Sequence, residues 1–412
     1  MKVALINPNR LRNPPVIPIG LEYLAHALRT AGYDVALLDL CFADDPARAL
    51  DAFLADFRPD VAFLSIRNVD SVINAAQHFF LDEHRELARR ITEAGVPLVV
   101  GGAGMPAMPR QIAQYLGAAA AVVGPGETAS LRVLQTLAAR ARLPQVVDGF
   151  RTLMDATVVP DRGTDVDYAA YYAAGGVAGF ASSYGCRSGC PFCIEARTPL
   201  LTRDPAAVAA EVRLLVSKGW KRMHLCDAEL NVSYPHALAL CEALTTADAS
   251  WMTYLRHKPM DAALAGALRR SGCNLATVTI TSATDDPDTA IRCVQLLKTE
   301  GLKVAVDLSC GLPGEPLDTA KLMIAALDRA RPDHVGITTR FRIYPAAPLA
   351  RQIRADPNER RWTSGDPEFV RPAVYCRLDP AEIQQWIQGL EGFEIDRGEA
   401  VNYQRLDKRP LE

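Results

Sequence analysis

Short apolar runs alternate with segments of helical periodicity along most of the chain. The first runs, at residues 3–6 and 35–38, are each followed by a segment in which apolar residues recur every three or four positions. Three more runs, at 61–66, 97–100 and 120–123, continue the alternation to about residue 141. Strands that are apolar on both faces are typical of parallel sheets covered by helices on both sides. The pattern therefore predicts a doubly wound α/β domain over residues 1–143.

A second alternating series follows a less regular stretch. Residues 144–178 lose the periodicity and contain Pro160-Asp161-Arg162-Gly163, which predicts a linker with local structure. Six apolar runs then alternate with helix-period segments, fewer than the eight strand–helix units of a full barrel. The runs lie at 179–184, 223–226, 251–254, 275–280, 304–308 and 334–338. We therefore expect a partial (β/α)6 barrel over 179–345.

The remaining residues, 346–412, form a short C-terminal extension with one predicted helix over 381–390. Because the extension is short, we expect little protein over the barrel mouth, or else a mouth that the first domain covers.

Composition narrows the class of protein. The chain has 412 residues, of which 49% are hydrophobic and 23% charged, and its formal net charge is -3. These values are typical of a globular enzyme and give no global attraction to nucleic acid or to an anionic membrane. The first residues indicate a strand rather than a signal peptide, and no apolar run is long enough to cross a bilayer. We therefore expect a cytoplasmic protein.

Ten cysteines are present, three of them clustered. In a cytoplasmic chain the scattered ones are predicted to be reduced core thiols. They are Cys41, Cys226, Cys241, Cys273, Cys293, Cys310 and Cys376.

The clustered cysteines form the motif Cys-x-x-x-Cys-x-Phe-Cys, with thiols at Cys186, Cys190 and Cys193. Three thiolates in one tight loop favour an iron–sulfur cluster, because three protein ligands leave one iron open to bind a small molecule. The alternative is a zinc site, which requires a fourth ligand. His224 and Cys226 are the nearby candidates for that role.

Polar residues follow the predicted barrel strands and are expected to meet at the cysteine loop, since barrel strands end at one face. Glu229 has an alternative as the acid of a helix N-terminus, and Ser282 as a helix cap. Arg256 is either a partner for a substrate or cofactor carboxylate or a surface cation. Tyr184 and Trp251 are predicted to be core residues.

In the first domain, Gly101-Gly102 follows a predicted strand. Paired glycines there either let a flat ligand approach the backbone or form a tight turn.

The cysteine motif at the first strand of a partial barrel resembles the radical S-adenosylmethionine superfamily. The resemblance implies that Phe192 lies against the adenine and that the motif Asp227-Ala228-Glu229 holds the methionine amino group. Ser282 matches a position near the ribose, where Thr281 replaces a common glutamate. The segment Gly311, Leu312, Pro313, Gly314 and Glu315 matches the glycine-rich stretch beside adenine and methionine, and Tyr344-Pro345 also recurs in the family.

The first domain is similar to the cobalamin-binding branch of this superfamily. The similarity rests on Asn7-Pro8, on residues 18–25, on Gly101-Gly102 and on residues 124–127. It implies a Rossmann-like, cobalamin-binding-type domain. The cobalamin contacts that it implies are Ser65, Gly101, Gly102, Gly126 and Glu127.

Two features depart from the commonest pattern. The loop at 7–19 lacks the histidine that ligates cobalt from below. Asp82-Glu83-His84 imitates that motif, but it ends in Leu87 rather than glycine, and we predict a solvated helix face there. Cobalamin is therefore expected to bind without a lower histidine ligand.

The resemblance implies an enzyme that uses a 4Fe–4S cluster, S-adenosylmethionine, cobalamin and an external flavodoxin- or ferredoxin-like electron donor. The leading hypothesis is a methyltransferase acting on an unactivated carbon of a small molecule, of secondary-metabolite or cofactor type. One alternative is a radical dehydratase, rearrangement or carbon–carbon bond-forming enzyme whose first domain has lost cobalamin. Another is a non-catalytic iron–sulfur redox sensor.

Overall fold

The computed structural model describes residues 1–12, 14–70, 78–365, 371 and 373–395. These residues form two compact units. The first contains the described residues up to Gly176 together with Arg371, and the second contains the rest. In the part of the chain so described, no helix is long and apolar enough to cross a membrane.

The first unit is built on a six-stranded parallel sheet in the order β2-β1-β3-β4-β5-β6. Its strands are β1 (Lys2–Asn7), β2 (Asp34–Asp39), β3 (Val61–Ser65), β4 (Leu98–Gly101), β5 (Ala120–Val123) and β6 (Val146–Asp148). Its helices are α1 (Ile19–Thr30), α2 (Pro46–Phe57), α3 (Leu81–Glu93), α4 (Pro109–Leu116), α5 (Gly126–Ala138) and α6 (Tyr168–Ala173). The apolar sequence of β1 suits its place inside the sheet, because Ala4, Leu5 and Ile6 are fully buried. The predicted doubly wound architecture is confirmed.

The segment predicted as a linker contributes β6 and α6 to this unit. A buried ion pair fixes it to α1: the guanidinium of Arg162 donates to Glu22 at 2.8 Å, and neither side chain is exposed by more than 2%. The hydroxyl of Tyr168 donates to the same carboxylate at 2.7 Å. Removing one partner of such a pair leaves an uncompensated buried charge, which costs about 3–5 kcal/mol. The ion pair therefore fixes this segment to the first unit.

The second unit is built on a seven-stranded parallel sheet in the order β18-β14-β13-β12-β11-β10-β7. The strands of this unit are β7 (Ala178–Phe180), β8 (Ser183–Tyr184), β9 (Leu201–Thr202), β10 (Arg222–Leu225), β11 (Ser250–Arg256), β12 (Cys273–Thr281), β13 (Lys303–Ser309), β14 (His334–Thr338), β15 (Arg340–Arg342), β16 (Thr363–Ser364), β17 (Val374–Cys376) and β18 (Phe393–Ile395). The helices are α7 (Pro205–Ser217), α8 (Tyr234–Leu244), α9 (Ala262–Arg270), α10 (Pro287–Thr299), α11 (Leu317–Ala330), α12 (Pro348–Ala355), α13 (Pro357–Arg360) and α14 (Pro380–Trp386). The six predicted barrel strands are present, and β18 adds a seventh from the C-terminal extension.

The C-terminal extension lies against the cysteine loop. The backbone N–H of Leu349, at the start of α12, donates to the carbonyl oxygen of Pro191 at 2.8 Å. Leu349 and Phe341 belong to an apolar cluster that also holds Leu312 and Phe192. The expectation that little protein covers the barrel mouth is therefore wrong on the side of the cysteine loop.

Two sequence predictions about single side chains are also wrong. His84 is buried in α3 rather than solvated, and burial lowers its pKa to about 4 because the charged form loses its water. Cys226 is exposed, whereas five of the other scattered cysteines are buried and Cys376 is half-buried. All ten cysteines are free thiols. Trp251 is fully buried, with its indole N–H donating to Ser271 at 2.7 Å, as a core residue should be.

Candidate active site

Asp227 fixes the point where the chain enters the cysteine loop. Its carboxylate accepts hydrogen bonds from the backbone N–H and hydroxyl of Ser182 at 2.7 and 2.6 Å. It accepts the same pair from Ser183 at 3.1 and 2.7 Å. Both carboxylate oxygens are thus engaged by the protein. The structure gives Asp227 the task of holding the loop, beside the cofactor contact that the sequence predicts.

The cysteine loop closes on itself through its backbone. The N–H of Cys186 donates to the hydroxyl of Thr198 at 2.8 Å, and the N–H of Arg197 donates to the carbonyl oxygen of Ser188 at 2.9 Å. Within the loop, the N–H of Cys193 lies 3.2 Å from the carbonyl oxygen of Cys190. These bonds join both ends of the loop, so the three thiols share one small region.

The three thiols of the loop ionise poorly without a cationic partner. Burial raises the pKa of all three, and that of Cys193 to about 12. The charges of Cys186 and Cys190 raise the pKa of Cys193 further. Thiolates so disfavoured need a strong cationic partner, and iron supplies one. The donor set therefore fits an iron–sulfur cluster. Over the described ranges, no three Cys, His, Asp or Glu side chains are arranged around a single ion position.

Glu229 faces the cysteine loop from the end of β10. Its carboxylate accepts from the hydroxyl of Ser188 at 2.9 Å and from the hydroxyl of Thr279. Glu229 also precedes the short helical turn Leu230–Val232, but it makes no capping hydrogen bond to that turn. A buried carboxylate with two hydroxyl donors is suited to bind a cationic group at the cysteine loop.

Arg256 lies at the end of β11, between the cysteine loop and two carboxylates. Its Nη1 is 3.5 Å from Sγ of Cys190 and 3.6 Å from Glu229, and its Nη2 is 3.8 Å from Asp285. The side chain is only 19% exposed, so the surface-cation alternative is wrong. Asn231 accepts from the backbone N–H of Arg256 at 2.8 Å and fixes its position. A half-buried cation beside the sulfur of Cys190 stabilises negative charge there.

The turn after β13 is organised by Glu315. One carboxylate oxygen accepts from the backbone N–H groups of Gly311 and Leu312 at 2.7 and 2.9 Å, and the other accepts from the hydroxyl of Ser282. The backbone N–H of Ser282 donates to the carbonyl oxygen of Ser309 at 3.0 Å. The helix-cap alternative for Ser282 is therefore wrong, because Asp286 caps α10 instead. These bonds join the ends of β12 and β13.

Glycine is required in the turn after β13. Gly311 has φ +89, and a Cβ there would lie 2.8 Å from the side chain of Leu378. Gly314 has φ +74, and its N–H lies 3.3 Å from the carboxylate of Glu359. Pro313, between them, is half-buried.

Apolar side chains form one wall of the site. The rings of Phe192 and Phe341 lie 5.1 Å apart between centroids, and Phe192 also packs in the cluster that contains Leu312. This wall joins the cysteine loop, the turn after β13 and the C-terminal extension. A flat, apolar ring system such as adenine fits beside it.

In the first unit, the strand ends are lined by backbone and small side chains. Ser65 ends β3 and pairs with Gly101 at the end of β4. Gly102 has φ +111, and a Cβ there would lie 2.7 Å from the carbonyl oxygen of Ile66. Gly102 therefore permits two backbones to cross closely, as a tight turn does, and it remains exposed.

The segment that follows β5 also contains a small residue with space around it. Gly126 begins α5, and Glu127 lies in its first turn. A Cβ on Gly126 would lie 3.9 Å from the hydroxyl of Ser130, so there is room around it. A sheet edge made of small residues fits a broad, flat macrocycle. No histidine is present in the described residues of the loop that follows β1, and Asn7 there donates to Asp39 at 2.8 Å.

Three residues of the site were missed by the sequence analysis: Ser188, Thr279 and Asp285. Thr279 had a signal, because it precedes Thr281 by two positions and so lies on the same face of β12. Ser188 lies within the cysteine motif, but its link to Glu229 spans 41 residues. Asp285 follows the strand end by four residues and had no distinguishing pattern.

The chain is similar to proteins of known function in sequence. Residues 12–134 match the family described as the B12 binding domain. Tryptophan 2-C-methyltransferase of Streptomyces laurentii is 25% identical over 447 aligned residues, which cover 85% of this chain and 74% of that protein.

Solved structures of similar fold include the radical S-adenosylmethionine methyltransferase TsrM of Kitasatospora setae with cobalamin and a 4Fe–4S cluster bound. The TM-score is 0.83 at 23% identity, covering 92% of this chain and 85% of that one. A second structure of TsrM, with tryptophan and an S-adenosylmethionine analogue, gives 0.79 at 25% identity, covering 85% and 75%. The cobalamin-dependent S-adenosylmethionine radical enzyme OxsB shares the fold, with a TM-score of 0.73 at 14% identity, covering 94% and 66%.

The cysteine loop, the strand-end residues around it and these similarities agree with one another. The chain therefore matches a B12 binding domain over residues 12–134 and is similar over most of its length to radical S-adenosylmethionine methyltransferases that bind cobalamin.

Proposed function

We propose that this protein is a cobalamin-dependent radical S-adenosylmethionine methyltransferase that methylates an unactivated carbon of a small molecule. The observation that carries the proposal is the position of Glu229 against the cysteine loop, through Ser188 and Arg256, in a chain whose residues 12–134 match a B12 binding domain. When bound, the 4Fe–4S cluster and S-adenosylmethionine supply the radical and methyl-donor chemistry, and cobalamin carries the methyl group.

The residues of the chain position these groups. Cys186, Cys190 and Cys193 would hold the cluster, and Glu229 lies against the same loop. Ser188 and Thr279 fix that carboxylate by donating to it, so that it accepts hydrogen bonds from the methionine amino group.

The turn from Gly311 to Glu315 and the ring of Phe192 bind the adenosyl part. Glu315 holds the backbone of that turn in one geometry, which preorganises the pocket before the ligand arrives. Phe192, Leu312 and Phe341 exclude water from the cluster on their side of the site, where reactive species are otherwise quenched.

In the first unit, Ser65, Gly101, Gly102, Gly126 and Glu127 line the edge that receives cobalamin. These residues would hold cobalamin by close backbone approach, without a histidine from the loop after β1. All ten cysteines are free thiols, which supports placement in the reducing cytoplasm.

The similar proteins suggest which substrate to test first. Tryptophan is named both for the methyltransferase of Streptomyces laurentii and for one solved structure of TsrM. We therefore take tryptophan and related planar heteroaromatic molecules as the first substrates to assay.

The missing histidine favours a second candidate: a radical enzyme that rearranges or couples its substrate without methylation. One experiment separates the two. The protein is reconstituted anaerobically with iron and sulfide, with and without cobalamin, and incubated with S-adenosylmethionine, reductant and substrate. Cobalamin-dependent formation of S-adenosylhomocysteine and a methylated product supports the methyltransferase. 5′-Deoxyadenosine without S-adenosylhomocysteine, whether or not cobalamin is present, contradicts it.

A further inference from the structure

A buried histidine, His257, lies next to the candidate site. It directly follows β11, which ends at Arg256, and it is only 1% exposed. Both of its ring nitrogens are buried, and neither has a hydrogen-bond partner among the described residues. An imidazole always carries a proton on at least one nitrogen, so a donor is left unsatisfied inside the protein. Such groups are uncommon in folded proteins, because each one costs stability, and they therefore point to a function.

The carboxylate of Asp285 faces this ring. Its Oδ2 lies 3.6 Å from Nδ1 of His257, and the side chain of Asp285 is 4% exposed. The same oxygen accepts from the backbone N–H of Thr281 at 2.8 Å, which fixes the carboxylate in the turn after β12. A charge this close and this well buried is weakly screened. Asp285 is therefore placed to stabilise a proton on His257.

Arg256 connects Asp285 to the cysteine loop. Its Nη2 lies 3.8 Å from Oδ1 of Asp285, and its Nη1 lies 3.5 Å from Sγ of Cys190. The side-chain amide of Asn231 donates to the carbonyl oxygen of Arg256 at 2.9 Å, which holds the end of β11 in place. Four groups thus follow one another from His257 through Asp285 and Arg256 to the sulfur.

Negative charge is in excess along this row. Arg256 also lies 3.6 Å from Glu229, so one guanidinium faces two carboxylates as well as the sulfur of Cys190. An electron added to a cluster held by the loop increases the negative charge further. In a region of low dielectric constant, that addition favours the uptake of a positive charge nearby.

His257 is the group that can take up this charge. Burial lowers its pKa, so the ring is neutral near pH 7 before the electron arrives. The charged groups that act on it are Asp285 and Asp286, which raise its pKa, and Lys258 and Arg256, which lower it. Lys258 and Asp286 are exposed, so the ring lies close to solvent that can supply a proton.

We propose that His257 takes up a proton when the cluster is reduced, and that Asp285 and Arg256 couple the two events. One electron passes from an external low-potential donor, which is oxidised, to the 4Fe–4S cluster, which is reduced. One proton passes from solvent to a ring nitrogen of His257, where an N–H bond forms and the imidazole becomes an imidazolium. The inference rests on the proposed function only in requiring a reducible cluster.

The coupling makes the reduction potential of the cluster depend on pH. Below the pKa that His257 has beside the oxidised cluster, the ring is protonated in both states and the potential is constant. Above that pKa the potential falls as pH rises, by up to about 59 mV for each tenfold decrease in proton concentration. It becomes constant again above the higher pKa that His257 has beside the reduced cluster. Because burial lowers the first of these values, the fall begins below the ordinary imidazole pKa of about 6.5.

The test measures the potential of the reconstituted full-length protein by protein-film voltammetry from about pH 5 to about pH 8. His257→Gln removes the titrating group and should make the potential independent of pH across the window in which that of the parent falls. Asp285→Asn removes the anion that stabilises the imidazolium and should move the window to lower pH by about one unit. The control is His84→Gln, which removes a buried histidine of the first unit that faces another histidine rather than an acid. It should keep the pH dependence of the parent.

A second measurement does not require the cluster. Nuclear magnetic resonance of histidine-labelled, cluster-free protein follows the titration of the ring, and the signal absent from His257→Gln identifies it. Asp285→Asn should lower the pKa of that signal by about one unit. An unchanged pKa overturns the role of Asp285.

Two results in voltammetry overturn the proposal as a whole. One is a potential of the parent that does not vary with pH. The other is a pH dependence that persists in His257→Gln, because another group then takes up the proton. A protein that assembles no cluster contradicts the proposed function instead.

Discussion

The two units present ligand-binding edges of opposite character. In the first unit the strand ends are lined by backbone and small residues, and Gly102 brings two backbones within contact. In the second unit the strand ends carry carboxylates, hydroxyls and a guanidinium joined by hydrogen bonds, with Glu229 and Glu315 as the acceptors.

The difference suits each edge to the ligand proposed for it. A large, flat macrocycle needs space and shape, which glycine provides. A small zwitterion on an open iron needs fixed charges, which buried side chains provide. We therefore expect added volume to disrupt the first edge and altered charge to disrupt the second.

The largest expected effect is loss of the cluster. Cys190→Ala removes one of three thiolates from the loop, and a cluster held by two protein ligands should be lost entirely. Iron content and the iron–sulfur absorbance after anaerobic reconstitution measure the outcome. Cys226→Ala, at an exposed thiol outside the loop, is the control. Loss of metal in Cys226→Ala would instead support the zinc alternative.

Adding one methyl group tests the strand-end edge of the first unit. Gly102→Ala places a Cβ 2.7 Å from the carbonyl oxygen of Ile66 at a left-handed backbone position. Strain of about 3 kcal/mol corresponds to roughly a hundredfold loss of cobalamin affinity, measured by absorbance titration with hydroxocobalamin. Gly20→Ala, in α1 and outside the proposed cobalamin contacts, has no atom within 4 Å of the added Cβ and should bind within a fewfold of the parent. Equal affinities for both variants would show that close backbone approach is not what this edge provides.

Removing a charge without changing side-chain volume tests the strand-end edge of the second unit. Glu315→Gln keeps the shape of the side chain but replaces a carboxylate oxygen that accepts from Gly311, Leu312 or Ser282. Loss of charge-assisted hydrogen bonds worth about 2 kcal/mol predicts roughly thirtyfold weaker binding of S-adenosylmethionine, measured by equilibrium dialysis. Glu382→Gln, on the exposed surface of α14, should bind normally. Unchanged binding in both variants would contradict a role for fixed charge at this turn.

The smallest expected effect concerns the reduction potential of the cluster. Arg256→Gln removes a cation 3.5 Å from Sγ of Cys190, so the reduced, more negative cluster loses stabilisation. A loss of about 1.4 kcal/mol corresponds to a decrease of about 60 mV for one electron. Potentiometric titration followed by electron paramagnetic resonance measures the shift. Arg256→Lys keeps the charge and should shift the potential less; a potential unchanged in both variants would remove Arg256 from the cluster environment.

The long parallel strands were predictable because burial on both faces leaves continuous apolar runs in the sequence. Two of the four edge strands, β6 and β18, were not. β6 and β18 have three residues each, and the sequence of β18, Phe-Glu-Ile, carries a charge that an edge position tolerates. No periodicity can be read from three residues, so only the sheet register reveals them.

The residues of the candidate site were likewise predictable only in part. The cysteine spacing and the residues at the ends of long strands were local patterns, so Glu229, Ser282 and Arg256 were found. Their partners were not local. Asp227 is engaged by serines 44 and 45 residues away, and no pattern in the sequence indicates which acid will hold the loop and which will contact a ligand.

The position of β18 bears on the order in which the protein is completed during synthesis. This strand comes from residues 393–395 yet pairs with β14, more than fifty residues earlier in the chain. Until those residues leave the ribosome, β14 presents an open hydrogen-bonding edge, and such edges pair with other chains. We therefore expect versions that stop before Phe393 to aggregate while nascent, even though every proposed cluster and S-adenosylmethionine contact lies upstream of that point.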